Sequence, residues 1–113
     1  FERSTYMFTR VVKTTTKPGK FEEFSRTFTE KALPLMRQQA GFIDEIELVS
    51  QENPDSVLTL SFWKTREDAD RYNREVFSRV VDIVRNVIVG EPQLSTYHVT
   101  ASTIHNIATG KAA

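Results

Sequence analysis

Between Tyr6 and Ser102 the spacing of apolar residues switches from two to three or four and back, twice over. No other feature narrows the fold as much, because a period of two belongs to strands and a period near 3.6 to helices. In Tyr6–Thr15, Tyr6, Phe8, Arg10, Val12 and Thr14 share one face; Met7, Thr9, Val11 and Lys13 share the other. β-Branched residues dominate, so this run reads as a strand. Lys17-Pro18-Gly19-Lys20 turns the chain. Phe21, Phe24, Phe28, Ala32, Leu35 and Met36 then recur at helical steps, with Glu22 and Glu23 in the first turn, where the helix dipole favours anions. Pro34 is expected to kink or loosen the last turns, and Gly41 to stop the helix. Gly41–Ser50 predicts a second strand, with Phe42, Asp44, Ile46 and Leu48 on one face and Ile43, Glu45, Glu47 and Val49 on the other.

After the turn Asn53-Pro54-Asp55, Val57–Trp63 predicts a third strand, paired with the second as a hairpin. Thr65 opens a long helix, and Asp68 three residues on comes close to a capping box. Ala69, Tyr72, Val76, Val80, Val84 and Val87 form its apolar stripe, widened by Phe77, Val81 and Ile88. Gly90-Glu91-Pro92 is expected to end it. Gln93–Ser102 then predicts a fourth strand, and 103–113 a small, polar, loosely held tail in which His105 is solvated.

The resulting order, β-α-β-β-α-β, is that of a ferredoxin-like α+β fold: a four-stranded antiparallel sheet with both helices on one face. The third strand is apolar on both sides, with Leu58, Leu60 and Phe62 on one and Val57 and Trp63 on the other. A sheet face left to water should be polar. A second copy packed sheet to sheet, in a two-fold homodimer, is therefore expected to cover it.

Composition removes several function classes. At 113 residues the chain makes one domain, 1–113, with its core over about 6–102. Roughly two thirds of the surface of such a chain is buried on folding, enough to dispense with disulfides or a structural metal. The absence of cysteine excludes disulfide scaffolds, zinc ribbons, iron–sulfur ligation and thiol catalysis. Two histidines, His98 and His105, argue against a multi-histidine metal site, and no metal or other cofactor is expected. The 15 basic and 15 acidic side chains balance, so no nucleic acid partner is expected. No apolar run is long enough to span a membrane, and 1–5 lack an apolar signal core. No membrane partner is expected, and the cytoplasm is the expected compartment. The chain does not begin with methionine, and Met7 is a candidate native start.

Three stretches together resemble the antibiotic biosynthesis monooxygenase (ABM) family. They are Phe8-Thr9-Arg10-Val11-Val12 with Lys17-Pro18-Gly19-Lys20-Phe21-Glu22-Glu23-Phe24; Gln39-Ala40-Gly41-Phe42; and Leu60-Ser61-Phe62-Trp63-Lys64-Thr65-Arg66-Glu67-Asp68-Ala69. The likeness spans about residues 6–102, and its specificity lies in order and spacing. It implies a dimeric α+β barrel, in agreement with the two-faced sheet. The family includes cofactor-independent monooxygenases of polyketide quinones, haem-degrading enzymes and signal-molecule processing enzymes, so membership alone does not give the reaction. Haem-degrading relatives use an asparagine on strand one and a histidine on helix two. This chain has neither, which argues against haem.

The resemblance implies that Trp63 lines a pocket between sheet and helices where a flat aromatic ligand stacks; as a residue, Trp63 serves equally as a core side chain closing the strand–helix corner. Ser61 and Thr59 share its strand face and need hydrogen-bond partners there. Tyr72 lies on the helix stripe, where its hydroxyl either orients a phenolate or sits at the rim of the core; Phe77 follows on the same helix, and Asn73 points elsewhere. His98 is the acid–base candidate by type, and equally a structural strand histidine. Arg10, if buried, needs an acidic partner such as Asp44 or Glu91, or an anionic ligand. No nucleophile elbow, Walker spacing or dinucleotide fingerprint is present, and spacing alone brings no carboxylate pair together. The expected function is a cofactor-independent monooxygenase of a small aromatic or quinol-type substrate, with Trp63, Tyr72, Ser61, Phe77 and His98 binding it. The alternative is a non-enzymatic dimer holding a small hydrophobic ligand.

Overall fold

A computed structural model describes residues 7–105 and 107. Four strands, β1 (Phe8–Thr16), β2 (Phe42–Val49), β3 (Ser56–Trp63) and β4 (Ile88–His98), form one antiparallel sheet in the order β2-β3-β1-β4. Helical segments α1 (Phe21–Thr27), α2 (Leu33–Arg37), α3 (Arg66–Glu75) and α4 (Phe77–Val84) join the strands. This is the expected ferredoxin-like α+β order. The core lies between the helices and one sheet face, where Phe24, Phe28, Met36, Val57, Trp63 and Tyr72 are buried.

The first helix is not continuous. A π turn, Phe28–Ala32, separates α1 from α2, with Pro34 in the first turn of α2. In an unbroken α-helix the Pro34 ring would collide with the Glu30 carbonyl and leave it without a donor. The wider turn around Glu30 relieves that conflict without moving the buried stripe of Phe24, Phe28, Ala32 and Met36. Gly41 then ends the segment with φ +83°, and a Cβ there would overlap the Asp68 carboxylate.

The second helix is also divided. Thr65 caps α3 by accepting from the Asp68 N–H at 3.1 Å, as its spacing predicts. At Val76 the backbone leaves the helical region (φ −127°), and α4 starts afresh. The helix ends earlier than expected, in a 3-10 turn over Arg85–Val87. Gly90-Glu91-Pro92 does not stop a helix; it forms a bulge inside β4, between the pairs Lys13–Gln93 and Thr15–Val89. β4 is an edge strand, where proline costs no ladder bond to a further strand. It therefore runs from Ile88 to His98 instead of Gln93 to Ser102.

A second bulge corrects the facing of β2. Phe42 pairs with Trp63, whereas Asp44 pairs with Phe62, so Ile43 is the extra residue. Phe42 thus turns to the helices and meets Trp63 edge-on at 5.5 Å, leaving Asp44, Ile46 and Leu48 on the opposite face. That helix-free face also carries Leu58, Leu60, Phe62, Val11, Val89 and Tyr97. The start of the tail folds back over it. His105 is not solvated: its ring lies 5.4 Å from that of Phe62, and its Nε2 is 3.7 Å from Asp44 Oδ2.

Candidate functional site

Strand register arranges the helix-covered face in rows. One row is aromatic: Phe42, Trp63, Phe8 and His98. The next is polar: Glu45, Ser61, Arg10 and Thr96. The third is Glu47, Thr59, Val12 and Leu94. Tyr72 and Asn73 of α3 and Phe77 of α4 roof the polar row, because α3 and α4 pack their stripe on the sheet.

Four of the five sequence-predicted residues form one connected cluster. Trp63 is fully buried, and its Nε1–H donates to Ser61 Oγ at 2.9 Å. The Tyr72 ring tilts over Trp63 with centroids 4.8 Å apart, and Phe77 lies 6.1 Å beyond Tyr72. His98 is placed apart, exposed on β4 with its ring edge-on to Phe8 at 5.7 Å. The Trp63 corner itself is filled by Phe42, Ser61 and Tyr72. The cavity on this face opens one row further along, between Thr59, Val12, Phe77 and Val81, with a volume of about 30 Å³. Two larger grooves, about 410 and 350 Å³, flank Lys13 at one end of the sheet.

Arg10 is buried (2 % exposed) but does not pair with Asp44 or Glu91. Asp44 is on the other face, and Glu91 binds Arg85 at 3.1 Å. Instead the guanidinium is clamped between the rings of Tyr72 and Phe77, 4.8 and 4.4 Å from their centroids, and donates to Asn73 Oδ1 at 2.9 Å. Asn73 therefore converges on the same group as its neighbour Tyr72 instead of pointing elsewhere. Burial lowers the Arg10 pKa, opposed by the nearby Tyr72 hydroxyl. Burial also pushes the Tyr72 phenol up to about 12, so it is a neutral donor at physiological pH.

Two glutamates on this face were not singled out from sequence. Glu45 has one carboxylate oxygen, Oε2, buried without a hydrogen-bond partner among the described residues, and burial, then Glu47 and Asp44, push its pKa up to about 7. Glu47 accepts from Ser25 Oγ of α1 at 2.7 Å. The signal was present: carboxylates two apart on a strand share a face, and that face is the one the helices cover. What the arrangement offers chemically is an acid–base group poised near neutrality, a fixed cation and neutral hydroxyl donors, beside an apolar cavity.

The profile of the antibiotic biosynthesis monooxygenase family matches residues 7–80. A search of curated proteins gives no match. Among solved structures, a conserved protein from Methanosarcina mazei is similar at 23 % identity, covering 83 % of this chain and 93 % of that one, with TM-score 0.69. SnoaB, a cofactor-independent oxygenase from Streptomyces nogalater, is similar at 17 % identity over 87 % of this chain and 97 % of its own, with TM-score 0.70. A protein of unknown function from Nitrosomonas europaea is similar at 14 % identity over 88 % and 95 %, again with TM-score 0.70. At these identities the likeness establishes the fold. Among the described residues no helix is long and apolar enough to cross a membrane.

Proposed function

The chain belongs to the antibiotic biosynthesis monooxygenase family, and from that membership we propose that it is a cofactor-independent monooxygenase of a small aromatic or quinol-type substrate, bound between sheet and helices. The observation that carries this reading is the polar row, buried at Ser61 and Arg10 and roofed by aromatic rings, with Arg10 held between Tyr72 and Phe77 beside an apolar cavity. Similarity to SnoaB, itself a cofactor-independent oxygenase, supports it. Phe77 walls the cavity, Ser61 and Tyr72 offer hydroxyls in the adjoining row, Trp63 backs them from the filled corner, and His98 lies two rows away on β4. A phenol can provide all the electrons: with O2 it gives a quinone, one oxygen atom entering the ring and the other leaving as water. The protein supplies shape, exclusion of water and hydrogen bonds to the substrate anion.

The cavity at rest has room for about one water molecule. A ring enters when Phe77 and α4 move off the sheet, and the break at Val76 serves as the hinge. Oxygen uptake and quinone formation with a panel of naphthols and hydroquinones test the reading. One O2 consumed per quinone formed, with loss in Tyr72→Phe and Phe77→Ala, is expected; uptake no faster than in buffer would sink it. The second reading, a non-enzymatic holder of a small hydrophobic ligand, is favoured by the cavity lining, where Thr14 and Thr59 bring the only side-chain hydroxyls. It predicts binding without uptake. In either case we place a second copy on the helix-free face, where Leu48, Val89 and Tyr97 are about half exposed.

A further inference from the structure

We infer that Glu45, Ser61 and Arg10 form a receptor for the hydroxyl of a phenol or enol, in which Glu45 takes the proton and Arg10 holds the oxyanion. The inference rests on reading the helix-covered face as the substrate site, and it assigns the proton. The three residues stand in register on adjacent strands: Glu45 faces Ser61 on one side and Arg10 faces it on the other. Two strand spacings separate the Cα atoms of Glu45 and Arg10, about 10 Å, so a ligand oxygen admitted over Ser61 when Phe77 and α4 move off the sheet lies between their heads.

Each group lacks what such a ligand brings. Arg10 is a buried cation whose hydrogen-bond partners, Asn73 and the Tyr72 hydroxyl, are both neutral, and no carboxylate pairs with it among the described residues. A buried charge without a counter-ion is costly, and an oxyanion removes that cost. Glu45 Oε2 is buried with nothing donating to it among the described residues. The substrate O–H breaks, an Oε2–H bond forms, and the electron pair stays on the substrate oxygen. Negative charge thereby passes from the carboxylate to the oxygen beside Arg10. Ser61 Oγ already accepts from Trp63, so its hydrogen is left to donate to that oxygen. Around Glu45 stand Glu47 and Asp44 on its own strand and Tyr72 on α3; Arg10 stands two strands away, where Tyr72 and Asp70 act on it. Tyr72 keeps its proton up to about pH 12, so it does not compete as a base. The ring of the ligand extends toward Thr59, two residues along β3, where the cavity opens.

The test is binding of 4-nitrophenol, whose own hydroxyl ionises near neutrality and whose phenolate is visibly coloured. The complex keeps one proton that the free partners lose above about pH 7. Wild-type affinity should therefore fall about tenfold per pH unit above that point. In Glu45→Gln no such proton is needed, and affinity should stay level. Arg10→Met should abolish the phenolate band of the bound probe at pH 6 and weaken binding at least about tenfold. Thermal melts show whether each variant is folded, and Glu45→Gln alone decides the proton if Arg10→Met does not fold. Parallel pH profiles for wild type and Glu45→Gln, a phenolate band that survives Arg10→Met, or no binding of the probe to wild type would each overturn the assignment. Oxygen uptake with naphthols alongside any of those results would leave the monooxygenase reading standing. The expected pH profile without uptake would uphold the receptor and remove the monooxygenase.

Discussion

Trp63 has no exposed surface, packs between Phe42 and Tyr72, and spends its one donor on Ser61. Truncating it opens a hole in the corner and strips Ser61 of its partner. Trp63→Ala should cost about 3–5 kcal/mol in a urea titration. A loss below about 1 kcal/mol would mean that the corner collapses or already contains space. Glu45 behaves in the opposite sense, because its folded pKa is raised, to about 7, by burial. Between its unfolded value and about pH 7 the native state holds the proton more tightly, so stability falls as pH rises through that window and is level above it. Glu45→Gln removes the slope. The variant should match wild type near pH 4 and exceed it at pH 8 by on the order of 1–2 kcal/mol, after discount for the solvent that reaches this group. Equal stability at both pH values would show that the Glu45 carboxyl is hydrated in the folded protein. Residue type leaves Trp63 open between pocket wall and core corner, and gives Arg10 an acid or an anionic ligand; the packing of α3 and α4 supplies an amide and two aromatic faces instead.

At the level of elements, order and type were legible because period two and period 3.6 alternate cleanly, and Thr65 and Gly41 act where their chemistry predicts. The departures have local causes that a single pattern hides. Pro34 is absorbed by a π turn upstream of it, because the buried stripe at four-residue steps has to be kept. The long second helix breaks at Val76 although its apolar stripe runs straight through, since a stripe records burial and not continuity of hydrogen bonds. Gly90-Glu91-Pro92 has the composition of a helix stop and is used as a strand bulge instead. The extra residue at Ile43 matters most for the site, because it turns Phe42 toward Trp63 while Glu45 and Glu47 keep facing the helices. Gly41 sets up that entry. With φ +83° and the Asp68 carboxylate against it, Gly41→Ala should destabilise by about 1–3 kcal/mol or more. A urea midpoint unchanged from wild type would show that the α2–β2 junction relaxes freely.

Across the whole molecule the sheet divides two tasks between its faces. The helix-covered face holds the polar row and the cavity; the helix-free face presents Leu48, Leu58, Leu60 and Phe62, and among the described residues His105 packs on Phe62 there. Leu60 lies at the centre of that second face, paired with Ile46 on one side and Val11 on the other. In a lone protomer position 60 is half-buried, and a carboxylate there still reaches water at the sheet surface. In a dimer packed sheet to sheet it is a buried charge with no partner, worth several kcal/mol against association. Leu60→Glu should therefore convert a dimer into a folded species near 13.0 kDa in sedimentation, with its circular dichroism intact. Because the polar row lies across the sheet from Leu60, affinity for 4-nitrophenol should change less than about twofold. A wild type already monomeric at micromolar concentration, or a Leu60→Glu variant that remains dimeric, would mean that this face is not the interface. Loss of the phenol site on dissociation would mean instead that each protomer needs its partner to hold α3 and α4 against the sheet.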